Sequence, residues 1–161
     1  MTEARFTPVL QGECSVSDDP DVIMSTVLGS CVAACIFDPE NRVGGMNHYL
    51  FSYPDRHDPT DGRFAQTAMK MLIAGVLEKG GDRRNLQAKL FGGAHLTPHG
   101  RDIGAANAAF GQAFLEKEGI PCLSHSLGGK QARRVHFVPT TGAARQLVIR
   151  ADAAPLLQDQ A

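Results

Sequence analysis

Four cysteines and six histidines carry the nucleophilic, basic and metal-ligating potential of this chain. Cys31 and His48 stand out because of what lies between them. Cys31-Val32-Ala33-Ala34-Cys35-Ile36-Phe37 and Val43-Gly44-Gly45-Met46-Asn47-His48-Tyr49-Leu50-Phe51 are apolar runs flanking Asp38-Pro39-Glu40-Asn41-Arg42, a β-hairpin signal. A turn centred between Pro39 and Glu40 sets Cys31 opposite His48. Directly opposed residues project from one face with Cβ atoms about 4.5–5.5 Å apart. An imidazole at that separation reaches a sulfur, whereas a slip of one residue would part them. Leu28-Gly29-Ser30 comes just before Cys31, and a glycine before a strand permits a bend that aims successive N–H groups at one point. A thiol, a base within reach and backbone donors are the parts of acyl-transfer chemistry.

Other readings of the same residues stand beside this one. Free cysteines are often buried structural residues; Cys35 is read that way, and Cys14 and Cys122 as core or near-surface thiols. Cys31-x3-Cys35 with His95-x3-His99 resembles a zinc site on paper. In a strand, however, the two sulfurs lie ~13 Å apart and cannot share an ion with bonds of about 2.3 Å. No metal is expected. His57, His95, His99 and His125 fall in or beside polar segments and read as solvated, and His136 as facing out of a strand. Gly128-Gly129-Lys130 fails the P-loop pattern, with Ser124 where the first glycine belongs and Gln131 after the lysine. The cluster Lys130, Arg133 and Arg134 reads as a solvated face or a protein-docking patch.

The elements that must position the hairpin follow from pattern. Phe6 to Ser17 predicts one or two short strands, followed by the turn cluster Ser17–Asp21 and an apolar run from Val22. Ser52 to Gly62 reads as an exposed loop. Arg63 to Lys79 predicts a helix, with Thr60 or Asp61 as N-cap and Gly80-Gly81 as the stop. Leu86–Phe91 predicts a strand. Ile103, Ala106, Phe110 and Phe114 sit at i, i+3, i+7 and i+11 and predict a second helix running to Glu118, closed by Gly119 and Pro121. Strands around Cys122, Arg134–Pro139 and Gln146–Arg150 complete the set, and 151–161 reads as a frayed tail. The expected architecture is an α+β or mixed α/β layered sandwich of mainly antiparallel strands with two long helices, a single domain over 1–161 with its core at about 5–150.

Composition sets the outer bounds. The chain has 161 residues, 43% of them hydrophobic, with 16 Lys+Arg against 17 Asp+Glu for a net charge of −1. That balance offers no basic surplus for a polyphosphate backbone, so nucleic acid is not expected as a partner. No apolar run approaches the ~20 residues of a membrane span, and Met1-Thr2-Glu3-Ala4-Arg5-Phe6 lacks the core of a signal peptide. A cytoplasmic protein with reduced cysteines is the expectation.

The motifs also resemble those of a known family. Leu28-Gly29-Ser30-Cys31-Val32-Ala33-Ala34-Cys35, Asp38-Pro39 and Gly44-Gly45-Met46-Asn47-His48 closely resemble the signature of the CheD family, chemoreceptor glutamine deamidases of bacterial chemotaxis. The resemblance continues through Lys89–Ala94, Ile103-Gly104 with Asn107, Leu127-Gly128-Gly129, and Val135-His136-Phe137 with Thr141-Gly142, in order over roughly 5–150. It implies a cysteine nucleophile at Cys31 and a histidine base at His48. The family's third member, a threonine six residues before the cysteine, maps to Ser25, which would orient His48, with Thr26 beside it as the alternative. Ser126 stands where many relatives have an acidic residue. Gly29 and Ser30 would contribute to the oxyanion site, through the N–H groups of Ser30 and Cys31. The resemblance further implies a fold similar to that of deamidating bacterial toxins and a reaction without metal or organic cofactor. Its implied partners are the cytoplasmic helices of methyl-accepting chemoreceptors and a CheC-type phosphatase. A receptor methylesterase, a transglutaminase and a non-catalytic module regulating a CheC-type phosphatase remain the alternatives.

Overall fold

A computed structural model describes residues 3–50, 63–97 and 99–150. The loop expected over Ser52–Gly62, the caps Thr60 and Asp61, His57 and the tail 151–161 lie outside the described residues. Nine strands and two α-helices are found among those described: β1 (Arg5–Pro8), β2 (Cys14–Ser17), β3 (Val22–Leu28), β4 (Val32–Asp38), β5 (Val43–Asn47), α1 (Ala65–Glu78), β6 (Gln87–Gly92), α2 (Ile103–Glu118), β7 (Cys122–Leu127), β8 (Ala132–Phe137) and β9 (Ala144–Ile149). They form a four-stranded sheet in the order β1-β3-β8-β9 and a five-stranded sheet in the order β2-β5-β4-β6-β7. Two pairings, β1 with β3 and β6 with β7, are parallel, and the rest are antiparallel. This is the expected mixed α/β layered architecture.

The unbroken apolar sequence of β4 has a direct cause. Every residue of the strand is buried, because both faces of the five-stranded sheet are covered. Val32, Ala34 and Ile36 pack into one core with the apolar face of α1, which comprises Ala65, Ala68, Met69, Leu72, Ile73 and Val76. Ala33, Cys35 and Phe37 pack into a second core with Met24, Leu28, Val135 and Phe137 of the four-stranded sheet. The layers therefore run helices, five-stranded sheet, four-stranded sheet. Cys31 sits at the margin of this second, inter-sheet core.

One expectation is met and another corrected. The second helix spans Ile103–Glu118, ending where expected. Its buried residues are Gly104, Asn107, Ala108, Gly111 and Leu115; Phe110 and Phe114 pack partly buried against the same core, and Ile103 is 54% exposed. Small residues let this helix lie close to the sheet. A Cβ at Gly104 would collide with the carbonyls of Gly93 and Ala94, and one at Gly111 with the Tyr49 hydroxyl. Close approach, not side-chain bulk, chose the face. The correction concerns the hairpin. Asp38 pairs with Val43 and Cys35 with Met46, so the turn is centred between Glu40 and Asn41, one residue beyond expectation.

Asp38 fixes that turn. Its carboxylate accepts from the N–H groups of Glu40 and Asn41 at 2.9 and 3.0 Å, from Asn41 Nδ2 at 2.7 Å and from Asp82 N–H at 2.8 Å, while Arg42 takes a left-handed φ of 56°. Burial would raise its pKa, but the hydrogen bonds from Asn41, Asp82 and Asn85 outweigh that and hold it at about 2. The folded pKa is depressed, so Asp38 stabilises the fold above the unfolded carboxylate range, and that stability is lost as pH falls through about 2. Asp38→Ala is expected to cost about 2–4 kcal/mol of stability at neutral pH, since several charge-assisted bonds go together. Urea unfolding at neutral pH and at pH 2 checks both size and sign: the gap between variant and wild type should shrink in acid.

Candidate functional site

The displaced turn keeps Cys31 and His48 on one face. Moving a hairpin turn by one residue shifts facing partners by two, and side chains alternate with period two. Val32 pairs with Tyr49 through reciprocal bonds of 3.0 and 2.8 Å. Cys31 and His48 each precede one member of that pair, on the opposite face of the sheet. They are therefore diagonal neighbours rather than directly opposed. Diagonal positions remain within reach of long side chains.

His48 follows β5 and is held from both directions. Its carbonyl accepts from Gly12 N–H at 2.8 Å and its N–H donates to the Glu13 carbonyl at 3.3 Å. The ring reaches across the inter-sheet layer to β3, where Nδ1 lies 2.9 Å from Thr26 Oγ1 and 3.4 Å from the Val9 carbonyl. Thr26 Oγ1 itself lies 2.6 Å from the Val9 carbonyl. A carbonyl cannot donate, so the threonine proton goes to Val9, and the threonine oxygen must accept from His48 Nδ1–H. This assigns the tautomer by bonding logic: Nδ1 carries the proton and Nε2 keeps its lone pair.

The hydroxyl on His48 is thus Thr26, not Ser25. Along β3, Val22, Met24, Thr26 and Leu28 are buried, whereas Ile23 and Ser25 are only partly buried and Val27 is exposed. Ser25 lies on the other face of the strand, paired in register with His136.

Burial governs the protonation of the pair. Cys31 is half-buried, and desolvation pushes its thiol up from the ordinary value. His48 is 8% exposed; desolvation lowers its pKa, partly offset by the Val9 carbonyl and the charge of Glu13. Both directions favour a neutral thiol beside a neutral imidazole at rest. Cys35 is buried in the inter-sheet core, with its thiol pushed far up by desolvation. Cys14 is pushed up to about 11 by burial, and Cys122 is exposed. No pair among the four is bridged. Residues 32–38 are extended, so Cys31 and Cys35 lack the helical spacing that a shared metal would need. No metal-ligating cluster is found among the described residues.

The segment before Cys31 is pinned on one side. The Gly29 carbonyl accepts from Ala94 N–H at 3.0 Å, Ser30 from Asn107 Nδ2 at 2.7 Å, and Cys31 from Gly93 N–H at 2.9 Å. The chain bends at Gly29, Ser30 and Cys31, as expected, although Gly29 does not take a left-handed conformation. Its small size matters instead, because a Cβ there would sit 2.6 Å from Leu96 Cδ1. The N–H groups of Ser30 and Cys31 donate to no backbone carbonyl among the described residues.

Comparison with known proteins bears on what such a site does. No helix among the described residues is long and apolar enough to cross a membrane. A curated protein of Caulobacter sp. (strain K31), "Probable chemoreceptor glutamine deamidase CheD", is 52% identical over 91% of this chain and 79% of its own length. One of the same name from Cereibacter sphaeroides is 43% identical over 99% of this chain and 80% of its own. These spans are too long to leave out positions 31 and 48. The Bacillus licheniformis hypothetical protein YfiH superposes with a TM-score of 0.47 at 13% identity, over 77% of this chain and 60% of that one. The model of the family described as CheD, chemotactic sensory transduction, matches residues 52–147. With more than half the chain inside that match and such relatives spanning nearly all of it, this chain belongs to the CheD family.

Proposed function

We propose that the protein is a protein-glutamine deamidase that converts glutamines of chemoreceptors to glutamate, with Cys31 as nucleophile and His48 as general base. The relatives' names carry the substrate class. The chemistry is supported above all by the tautomer of His48, which leaves Nε2 its lone pair, on a residue that the register places on the same sheet face as Cys31. His48 Nε2 takes the thiol proton as sulfur attacks the side-chain carboxamide carbon. The carbonyl oxygen becomes an oxyanion facing the N–H groups of Ser30 and Cys31. Collapse breaks the C–N bond, the His48 proton passes to the departing amine, and ammonia leaves a thioester. Water, deprotonated by the same imidazole, hydrolyses it to glutamate and returns the thiol.

No metal or organic cofactor enters any of these steps. A neutral carboxamide calls for no strong surface field, in keeping with a net charge of −1. A reaction on receptor cytoplasmic helices places the protein in the cytoplasm, where its four unbridged cysteines stay reduced. A CheC-type phosphatase is a second proposed partner, on the motif resemblance alone. The test is mass spectrometry of chemoreceptor cytoplasmic fragments incubated with the protein, expected to show glutamine-to-glutamate conversion at discrete sites. Fragments bearing glutamate methyl ester, and primary amines offered beside water, are run in parallel. Ester cleavage or amine incorporation without deamidation would overturn the assignment.

A further inference from the structure

We propose that Asn107 of α2 is a positioning residue that holds the Ser30–Cys31 peptide so that its N–H faces the oxyanion, an inference that rests on the cysteine mechanism above. In a planar trans peptide the C=O and N–H point in opposite directions, so whatever holds a carbonyl also aims the next residue's N–H. Cys31 provides an internal check. Its carbonyl is held by Gly93 N–H, and the N–H of the same peptide, at Val32, points across to the Tyr49 carbonyl at 3.0 Å. By the same rule, Ala94 N–H on the Gly29 carbonyl aims Ser30 N–H, and Asn107 Nδ2 on the Ser30 carbonyl aims Cys31 N–H.

Of the three donors that hold this segment, two are backbone amides and one is a side chain. Asn107 is fully buried in the face of α2 brought close by Gly104 and Gly111. Its backbone carbonyl accepts from the Tyr49 hydroxyl at 3.1 Å. Asn107 thereby joins the neighbour of His48 to the neighbour of Cys31. A buried amide in an otherwise apolar helix face is costly unless bonded. Here its donor serves one of the two peptides whose orientation the chemistry needs, the one that carries the nucleophile's own N–H.

The test replaces Asn107 and follows deamidation of a chemoreceptor cytoplasmic fragment. Asn107→Ala is expected to lower kcat about 10- to 100-fold with KM little changed, less than the loss of an oxyanion donor itself. Alkylation of Cys31 by iodoacetamide, a displacement that forms no oxyanion, should stay within about two-fold of wild type, because thiol and base are untouched. Asn107→Asp adds a second signature. As a carboxylate it repels the Ser30 carbonyl, but once protonated it donates to it, and burial raises its pKa. Its kcat relative to wild type should therefore climb as pH falls from about 8 to about 6.

Wild-type kcat in both variants, an effect on KM alone, a pH-independent ratio, or alkylation falling in step with turnover would each overturn the proposal. So would failure of both variants to fold by circular dichroism, which would make Asn107 a folding residue. Cys31→Ala separates the two levels. If it still deamidates, the cysteine mechanism fails. If it is inactive while the Asn107 variants are fully active, only the role of Asn107 fails.

Discussion

Cys31→Ala is expected to lower deamidation turnover by roughly 10⁴-fold or more, and His48→Ala by nearly as much. The two losses do not add. A base without a nucleophile, or a nucleophile without a base, leaves the same residual rate, so the double variant should match the worse single one. Full retention of deamidation by Cys31→Ala would remove the thioester route and leave His48 activating water directly. The resting protonation state gives a finer signature. With the thiol pushed up and the imidazole pushed down by burial, the pair rests neutral, and sulfur loses its proton only as it attacks. Iodoacetamide should therefore label Cys31 slowly at neutral pH and faster as pH rises. The acid limb of the deamidation profile, set by protonation of His48, should lie below the ordinary histidine value near 6.5. Fast labelling that is flat down to pH 5 would instead mean a preformed thiolate–imidazolium pair.

The legible and illegible parts of this site divide along a physical line. The apolar run of β4 marked a strand, and the Asp-Pro turn marked its hairpin partner. Together these were enough to bring Cys31 and His48 to one face. The turn centre was missed by one residue because it depends on the hydrogen bonds of the Asp38 carboxylate, including one from Asp82 far along the chain, which no local pattern reports. The error was harmless because a two-residue shift of partners preserves the face. Helical spacing located α2 but not how closely it packs. Gly104, Ala108 and Gly111 turn inward where the helix lies so near the sheet that a Cβ at either glycine would collide. Asn107 lies in that same buried face, a placement that follows from the packing and not from the spacing.

Thr26 was within reach of pattern reasoning. Val22, Met24 and Leu28 alternate with Ile23, Ser25 and Val27, and the even-numbered members are the more deeply buried. Thr26 shares that parity, so a strand assignment alone sends its hydroxyl into the inter-sheet layer and Ser25 to the far side. Thr26→Val keeps the shape and removes the hydroxyl, leaving His48 Nδ1–H with only the Val9 carbonyl at 3.4 Å, beyond a good hydrogen bond. The Val9 carbonyl also loses the threonine proton it accepts at 2.6 Å. The ring is then free to turn or to exchange tautomers, and each time Nε2 carries the proton the base is lost. Turnover should fall about 10- to 100-fold, with KM nearly constant, since the ring's orientation matters to proton transfer and not to binding. The loss is smaller than for His48→Ala because the residual carbonyl still favours the productive tautomer. Thr26→Ser, which keeps the oxygen in place, should restore most of the rate, and Ser25→Ala should stay within about two-fold of wild type. Deamidation kinetics on a receptor fragment read all three. A greater loss from Ser25→Ala than from Thr26→Val would return the supporting role to Ser25, and would require β3 to be rotated by one residue from its present register with β8.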